Sequence, residues 1–102
     1  MKHTKEQITA NVLKALKDVR FPYDVEKGIY SLYFIEDEKP LRGPKRGQPI
    51  PAWHASVEFE MFSDREPLFI TIPDETGEPI YLQHSTAVIE IGKDKEGIYF
   101  RK

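Results

Sequence analysis

The sequence predicts an α+β domain in which one N-terminal helix packs on a curved antiparallel sheet of about five strands. Three observations carry that expectation. A single amphipathic stripe of helical period opens the chain. Everything after Gly28 is extended in character. No second helical stripe separates the extended segments, as βαβ alternation would require. At 102 residues the chain has the length of one domain, and positions 1–102 show no repeat, low-complexity tract or break in composition.

The helix is expected from Thr4 to about Arg20. Ile8, Val12, Leu13, Leu16 and Val19 fall on one face. Thr4 and Gln7 have capping-box spacing, so the hydroxyl can accept from a free backbone N–H while the Gln side chain reaches back. Pro22 is the expected stop, because a proline drives its predecessor out of the helical region. One apolar face implies that the helix lies on a sheet rather than inside a bundle.

The strands follow. Ile29–Ile35 is rich in aromatic and β-branched residues and apolar on both faces, and Glu36-Asp37-Glu38 is expected to end it. From Ala52 to Phe62 the alternation is strict. Trp53, Ala55, Val57, Phe59 and Met61 point one way, and His54, Ser56, Glu58 and Glu60 the other. A period of two marks an antiparallel strand with one dry and one wet face. Ser63–Pro67 is expected to be a polar turn, after which Leu68, Ile70 and Ile72 make a second dry face. Pro73–Pro79 is a turn by its prolines, glycine and acids. Ile80–His84 and Ala87–Ile91 are expected to form one strand with a bulge at Ser85-Thr86, and Ile98-Tyr99-Phe100 a short closing strand.

Charge is mixed in total and divided along the chain. Fifteen Lys and Arg against 17 Asp and Glu leave a net charge of −2, which argues against a dedicated nucleic-acid binder. The connection 37–51 carries Lys39, Arg42, Lys45 and Arg46 among prolines and glycines. A loop of about 15 residues is long for a compact domain, and its bases could meet phosphates or a partner. Between Glu58 and Glu78 the balance reverses: Glu58, Glu60, Asp64, Glu66, Asp74, Glu75 and Glu78 face only Arg65. If the strands pair as neighbours, these acids gather on one sheet face and its turns, where they would steer a cationic partner.

Motifs for chemistry are missing. The chain has no cysteine, which removes disulfides, thiolate metal sites and cysteine nucleophiles. His54 and Glu58 lie about 13 Å apart along a strand, too far to share a metal or a proton. His54 and His84 could converge across strands, but no further ligand pattern accompanies them. Glu58 and Glu60 have the spacing of an acid–base pair, yet solvated carboxylates keep ordinary pKa values. No catalytic residue, metal site or cofactor is therefore expected. No apolar run is long enough to cross a bilayer, and no secretory signal is visible, so a cytoplasmic protein is expected.

The segments Trp53-His54-Ala55-Ser56-Val57-Glu58-Phe59 and Phe69–Tyr81, with the Asp74-Glu75-Thr76-Gly77 turn, then His84 and Ile89-Glu90, resemble small bacterial immunity proteins that neutralise polymorphic toxins. The helix-then-sheet order is similar to the cystatin or small NTF2-like architecture. The basic loop Lys39–Arg46 has no counterpart in that pattern. The resemblance covers residues 52–91 and implies a non-enzymatic protein-binding module with a toxin-like partner. His54, Glu58, Glu60, Asp64, Glu66, Asp74 and Glu75 are the expected contact residues. Two alternatives stand beside it. One is a small-molecule-binding or weakly catalytic domain whose concave pocket is lined by Trp53, Phe59, Tyr30 and Phe34. The other is a structural module that forms a homodimer through its sheet.

Overall fold

A computed structural model describes all of residues 1–102. Helix α1 (Lys5–Asp18) is followed by strands β1 (Ser31–Glu38), β2 (Ile50–Met61), β3 (Asp64–Pro73), β4 (Tyr81–His84), β5 (Ala87–Lys93) and β6 (Tyr99–Arg101). The strands form one antiparallel meander in the order β1-β2-β3-β4-β5-β6, and the sheet does not close. The class is α+β, with six strands rather than about five.

The difference lies at Ser85-Thr86. His84 pairs with Ala87 across this dipeptide, so it is a two-residue hairpin turn and not a bulge. Periodicity cannot distinguish the two, because both leave the flanking residues extended.

The helix begins as its capping box dictates. The Gln7 N–H donates to Thr4 Oγ1 at 3.2 Å, and the Thr4 N–H donates to Gln7 Oε1 at 2.9 Å. It ends before Pro22 can act. Arg20 adopts φ 57°, and the Arg20 and Phe21 N–H groups donate back to the Lys17 and Leu16 carbonyls. That is a Schellman closure with arginine in the place glycine usually takes.

Ile8, Val12, Ala15, Leu16 and Val19 form the buried stripe, and Leu13 is half-buried at its margin. Facing it are Trp53, Ala55, Val57 and Phe59 of β2, Leu68, Ile70 and Ile72 of β3, and Leu82, Ile91 and Tyr99 beyond. The expected phase of β2 and β3 is therefore correct. Both ends of the helix are tied down. The Lys2 and His3 N–H groups donate to the Asp74 carboxylate just before the start, and at mid-helix Asn11 Nδ2 donates to the Gly77 carbonyl at 2.7 Å. At the end, the Tyr99 N–H donates to Asp18 Oδ2 at 3.1 Å and Arg101 Nε to the Val19 carbonyl at 3.2 Å.

Two further connections differ from expectation. β1 continues through the acids to Glu38, which pairs with Ile50 after a register shift that follows Ile35. The 37–51 loop is thus shortened to residues 39–49. It also packs: Pro40 is buried, the Gly47 N–H donates to the Pro40 carbonyl, and the Leu41 N–H donates to Tyr81 Oη at 3.2 Å. Tyr81 continues the cross-strand row Tyr33–His54–Thr71 on the face away from the helix. Thr71 and Tyr81 are each only 2% exposed, and no helix covers them. The loop folds over this outer face at Tyr81. Finally, β3 starts at Asp64, so the β2–β3 turn is only Phe62-Ser63.

Candidate functional site

The acids expected to share one surface divide between two ends of the sheet. Asp74 and Glu75 follow β3 beside the start of β2, where the Asp74 N–H donates to the Pro51 carbonyl. Glu60 lies nine residues along β2, roughly 30 Å away at 3.3 Å per residue.

Asp74, expected on an open acidic face, is instead buried. It is 4% exposed, and its carboxylate accepts from Trp53 Nε1 at 3.0 Å, the Lys2 N–H at 2.6 Å and the His3 N–H at 3.3 Å. Burial pushes its pKa up, but these three donors and the N-terminal charge outweigh burial and hold it below the ordinary value. His3 Nδ1, 2.7 Å from the Asp74 carbonyl, donates there and completes the clasp. Glu75 is exposed and lines a 290 Å³ groove with Lys45 and Ile80, where the 39–49 loop meets the β3–β4 turn. Lys39, Arg42, Lys45 and Arg46 form no ion pair, and the Arg42 guanidinium donates to the Leu41 carbonyl.

His54 is not on a wet face. Its side chain is 20% exposed under Tyr33, with ring centroids 5.7 Å apart. Its Nε2 lies 2.9 Å from Glu38 Oε2 without the alignment of a hydrogen bond. Ser56 beside it is buried. His84 packs edge-on against Phe59 on the helix side, so the two histidines lie on opposite faces and do not converge. No three His, Asp or Glu side chains are grouped so that they could hold a metal ion.

The remaining acids assemble around the β2–β3 hairpin. Arg65 is the hub. Its Nε donates to Glu58 Oε1 at 3.1 Å, its Nη2 to Asp24, and its Nη1 lies 3.7 Å from Glu60 Oε1. Lys27 Nζ donates to the other Glu58 oxygen at 2.7 Å. The Lys27 and Arg65 hydrogen bonds hold the Glu58 carboxyl below its ordinary range. The Lys27 N–H and Arg65 do the same for Asp24. Glu58 and Glu60 are thus no acid–base pair: one is saturated by two cations and the other is solvated. Glu66 accepts from Ser85 Oγ at 2.6 Å, and Asp64 is exposed. Five acids (Asp24, Glu58, Glu60, Asp64 and Glu66) stand against Lys27 and Arg65 at this end.

At the tip, Phe62 is 93% exposed, the most solvent-accessible large apolar side chain of the chain. Phe62 and Ser63 have φ 52° and 68°, the pattern of a type I′ turn that normally takes Asn-Gly. A bulky residue with positive φ is costly. The exposed position of Phe62 is not announced by the sequence, because Met61-Phe62-Ser63 lacks the glycine or asparagine that marks such a turn. Asp24 and Lys27 were missed because their link to β2 is tertiary.

The aromatics of the expected concave pocket do not enclose one. Trp53 and Phe59 are buried in the core, Phe34 packs against Trp53, and Tyr30 is 44% exposed. The grooves lie at the margins of the sheet and, in one case, between α1 and the segment that follows it. No helix is long and apolar enough to cross a membrane. Comparison with protein-family models, with curated proteins and with solved structures finds no match for this chain.

Proposed function

We propose that this chain is a non-enzymatic protein-binding module, most concretely a cytoplasmic bacterial immunity protein that neutralises a toxin by occupying its active face. The architecture is taken to be of cystatin or small NTF2-like kind, a reading supported by one helix laid across an antiparallel meander. The contact surface is narrower than a whole acidic sheet face: it is the β2–β3 hairpin end, with Phe62 as anchor and Glu60, Asp64 and Glu66 around it.

The observation that carries this reading is the strained presentation of Phe62. A turn that excludes bulky side chains holds a fully solvated phenyl ring among acids. Strain that persists at an exposed tip contributes nothing to the core, and such strain concentrates at functional positions. An aromatic anchor ringed by charge fits a partner with an apolar pocket rimmed by Lys and Arg. A ligand-binding or catalytic pocket is less well supported, since Trp53, Phe59 and Leu16 fill the space between helix and sheet.

The test is association with the product of the neighbouring gene, because toxin and immunity genes are normally adjacent in the family the chain resembles. Phe62→Ser should raise the dissociation rate. Glu60→Lys with Asp64→Lys should lower the association rate and flatten its salt dependence, as ionic strength screens charges beyond about 8 Å at physiological salt. Lys95→Glu, in the β5–β6 turn, is the matched control. Equal effects from all three changes, or none, remove the hairpin from the interface.

A further inference from the structure

The groove between the 39–49 loop and the β3–β4 turn has two ordered walls. In the loop, Pro40 is buried, and the Arg46, Gly47 and Gln48 N–H groups donate to the Gly43, Pro40 and Lys45 carbonyls. In the turn, the Gly77 N–H donates to the Pro73 carbonyl and the Asp74 N–H to that of Pro51. The walls meet at Gly43, where a β-carbon would lie 3.5 Å from Ile80 Cδ1. The cleft is therefore formed before anything enters it, as small-molecule sites usually are.

Its lining is apolar within and charged at the mouth. Ile50, Pro73 and Ile80 are half-buried, and with Pro44 they supply aliphatic surface. Neither proline has an N–H to offer. Lys45 and Glu75 stand on opposite walls, both exposed. They form no ion pair with each other or with any other residue. The other acids of the turn are engaged: Asp74 holds Trp53 and the N-terminal backbone, and Glu78 accepts from Lys93. Arg46, next to Lys45 in the chain, is a second unpaired cation.

This combination selects a ligand by its charges. A simple anion is repelled by Glu75, and a simple cation by Lys45 and Arg46. A wholly apolar molecule leaves both walls of the mouth unsatisfied. A molecule that carries both charges beside one apolar group meets all three parts of the groove. The volume of 290 Å³ stands at the foot of the range of about 300–1,000 Å³ that ligand sites occupy, so the molecule is small.

We infer that this groove binds a free apolar α-amino acid, with its ammonium on Glu75, its carboxylate on Lys45 and its side chain against Ile50, Pro73 and Ile80. The lining holds no charge deeper than the mouth, which disfavours acidic and basic side chains in the floor. Bound there, the ligand ties the 39–49 loop to the β3–β4 turn. The groove lies at the opposite end of the sheet from Phe62, so its failure would leave the proposed partner surface untouched.

NMR titration of the full chain with L-leucine tests the inference. The backbone signals of Lys45, Glu75 and Ile80 should move together and saturate, while those of Phe62 and Ser63 stay in place. Leucine should also raise the melting temperature, since it binds only the folded chain. Isocaproate lacks the ammonium, isoamylamine lacks the carboxylate and glycine lacks the side chain. Each should bind more weakly than leucine by about tenfold or more. Glu75→Gln should reduce leucine to the level of isocaproate and leave isocaproate no weaker. Lys45→Gln with Arg46→Gln should reduce leucine to the level of isoamylamine and leave isoamylamine no weaker. Circular dichroism of each variant establishes that it is folded. A parent that shows no saturable shift with leucine would overturn the inference. So would analogues that bind as tightly as leucine, shifts centred away from the groove, or variants that bind leucine as the parent does.

Discussion

The indole of Trp53 donates its Nε1–H to the buried carboxylate of Asp74, 3.0 Å away, and thereby joins β2 to the turn that receives the N-terminus. The same carboxylate accepts from the backbone of Lys2 and His3. One side chain therefore closes the β3–β4 turn, fixes the entry to α1 and satisfies the only polar atom of the largest core residue.

Removing that carboxylate should be expensive. Asp74→Ala leaves the Trp53 N–H buried without an acceptor, a loss of about 1–3 kcal/mol. Chemical denaturation of parent and variant measures it. Trp53 fluorescence should shift as the indole loses its partner, and exchange at the Lys2 and His3 amides should accelerate.

The same site makes stability depend on acid. The folded pKa of Asp74 is depressed, so its contribution is complete above the unfolded value of about 3.9 and is lost as pH falls through the folded one. Asp18, held low first by Lys14 and then by the Tyr99 N–H, adds to the same limb. Asp74→Asn should be less stable than the parent at neutral pH and approach it in acid. A constant difference across the titration would deny Asp74 this role.

Phe59 joins the strands to the segment that follows the helix. Its ring meets Phe21 edge-on at 5.2 Å and His84 at 5.4 Å, and it is 6% exposed. Phe59→Ala should cost about 3–5 kcal/mol, with a cavity that the flanking rings cannot close. A variant that melts with the parent would contradict this packing.

The 39–49 loop is expected to matter to stability, contrary to the freely mobile tip that its prolines and glycines suggest. Tyr81→Phe removes the acceptor for the Leu41 N–H and should cost about 1 kcal/mol. Hydrogen exchange at Leu41 reports the local loss. Replacing residues 39–49 by a short glycine turn should lower the melting temperature, because Tyr81 loses its cover.

Gly77 sits at φ 70°, and a β-carbon there would lie 2.6 Å from Nε2 of His3. The ring cannot swing aside without breaking its bond to the Asp74 carbonyl. Gly77→Ala should therefore destabilise by about 1–2 kcal/mol from backbone strain and more from the displaced clasp. His3→Ala in the same background should recover the second part and not the first.

The helix, its capping box and the dry faces of β2 and β3 were legible because each is a local periodicity. Ile8, Val12 and Leu16 recur every helical turn, and Trp53, Val57 and Leu68 obey a period of two. What was not legible is what distant segments do to one another. Asp74 looked like one of a run of acids, and only the approach of Trp53 and Lys2 makes it structural. His54 occupies an outward position in its strand, yet Tyr33 on the neighbouring strand covers it. The acids of β2 and the following turn share a sign in sequence, but Arg65 and Lys27 divide them in space. The Ser85-Thr86 hairpin has none of the residues that favour a two-residue turn, and neither has Phe62-Ser63.

That last departure yields the most discriminating prediction. Both residues of the β2–β3 turn have positive φ, a conformation that costs an ordinary L-residue about 1–2 kcal/mol. Asn and Gly adopt it with little strain. Phe62→Asn with Ser63→Gly should therefore stabilise the chain by about 1–3 kcal/mol, and each kcal/mol should raise the melting temperature by about 4–8 °C in a domain of this size. No core contact is lost, since Phe62 is 93% exposed. If the tip serves only to join two strands, the change is a gain without penalty. If Phe62 is the anchor of a partner contact, the stabilised variant should bind its partner more weakly through faster dissociation, because aromatic anchors act mainly after encounter. Stability and affinity would then move in opposite directions, and denaturation and binding kinetics on one variant measure both. An unchanged or lowered melting temperature would show that the turn is not strained and that nothing in its backbone points from Phe62 to a partner.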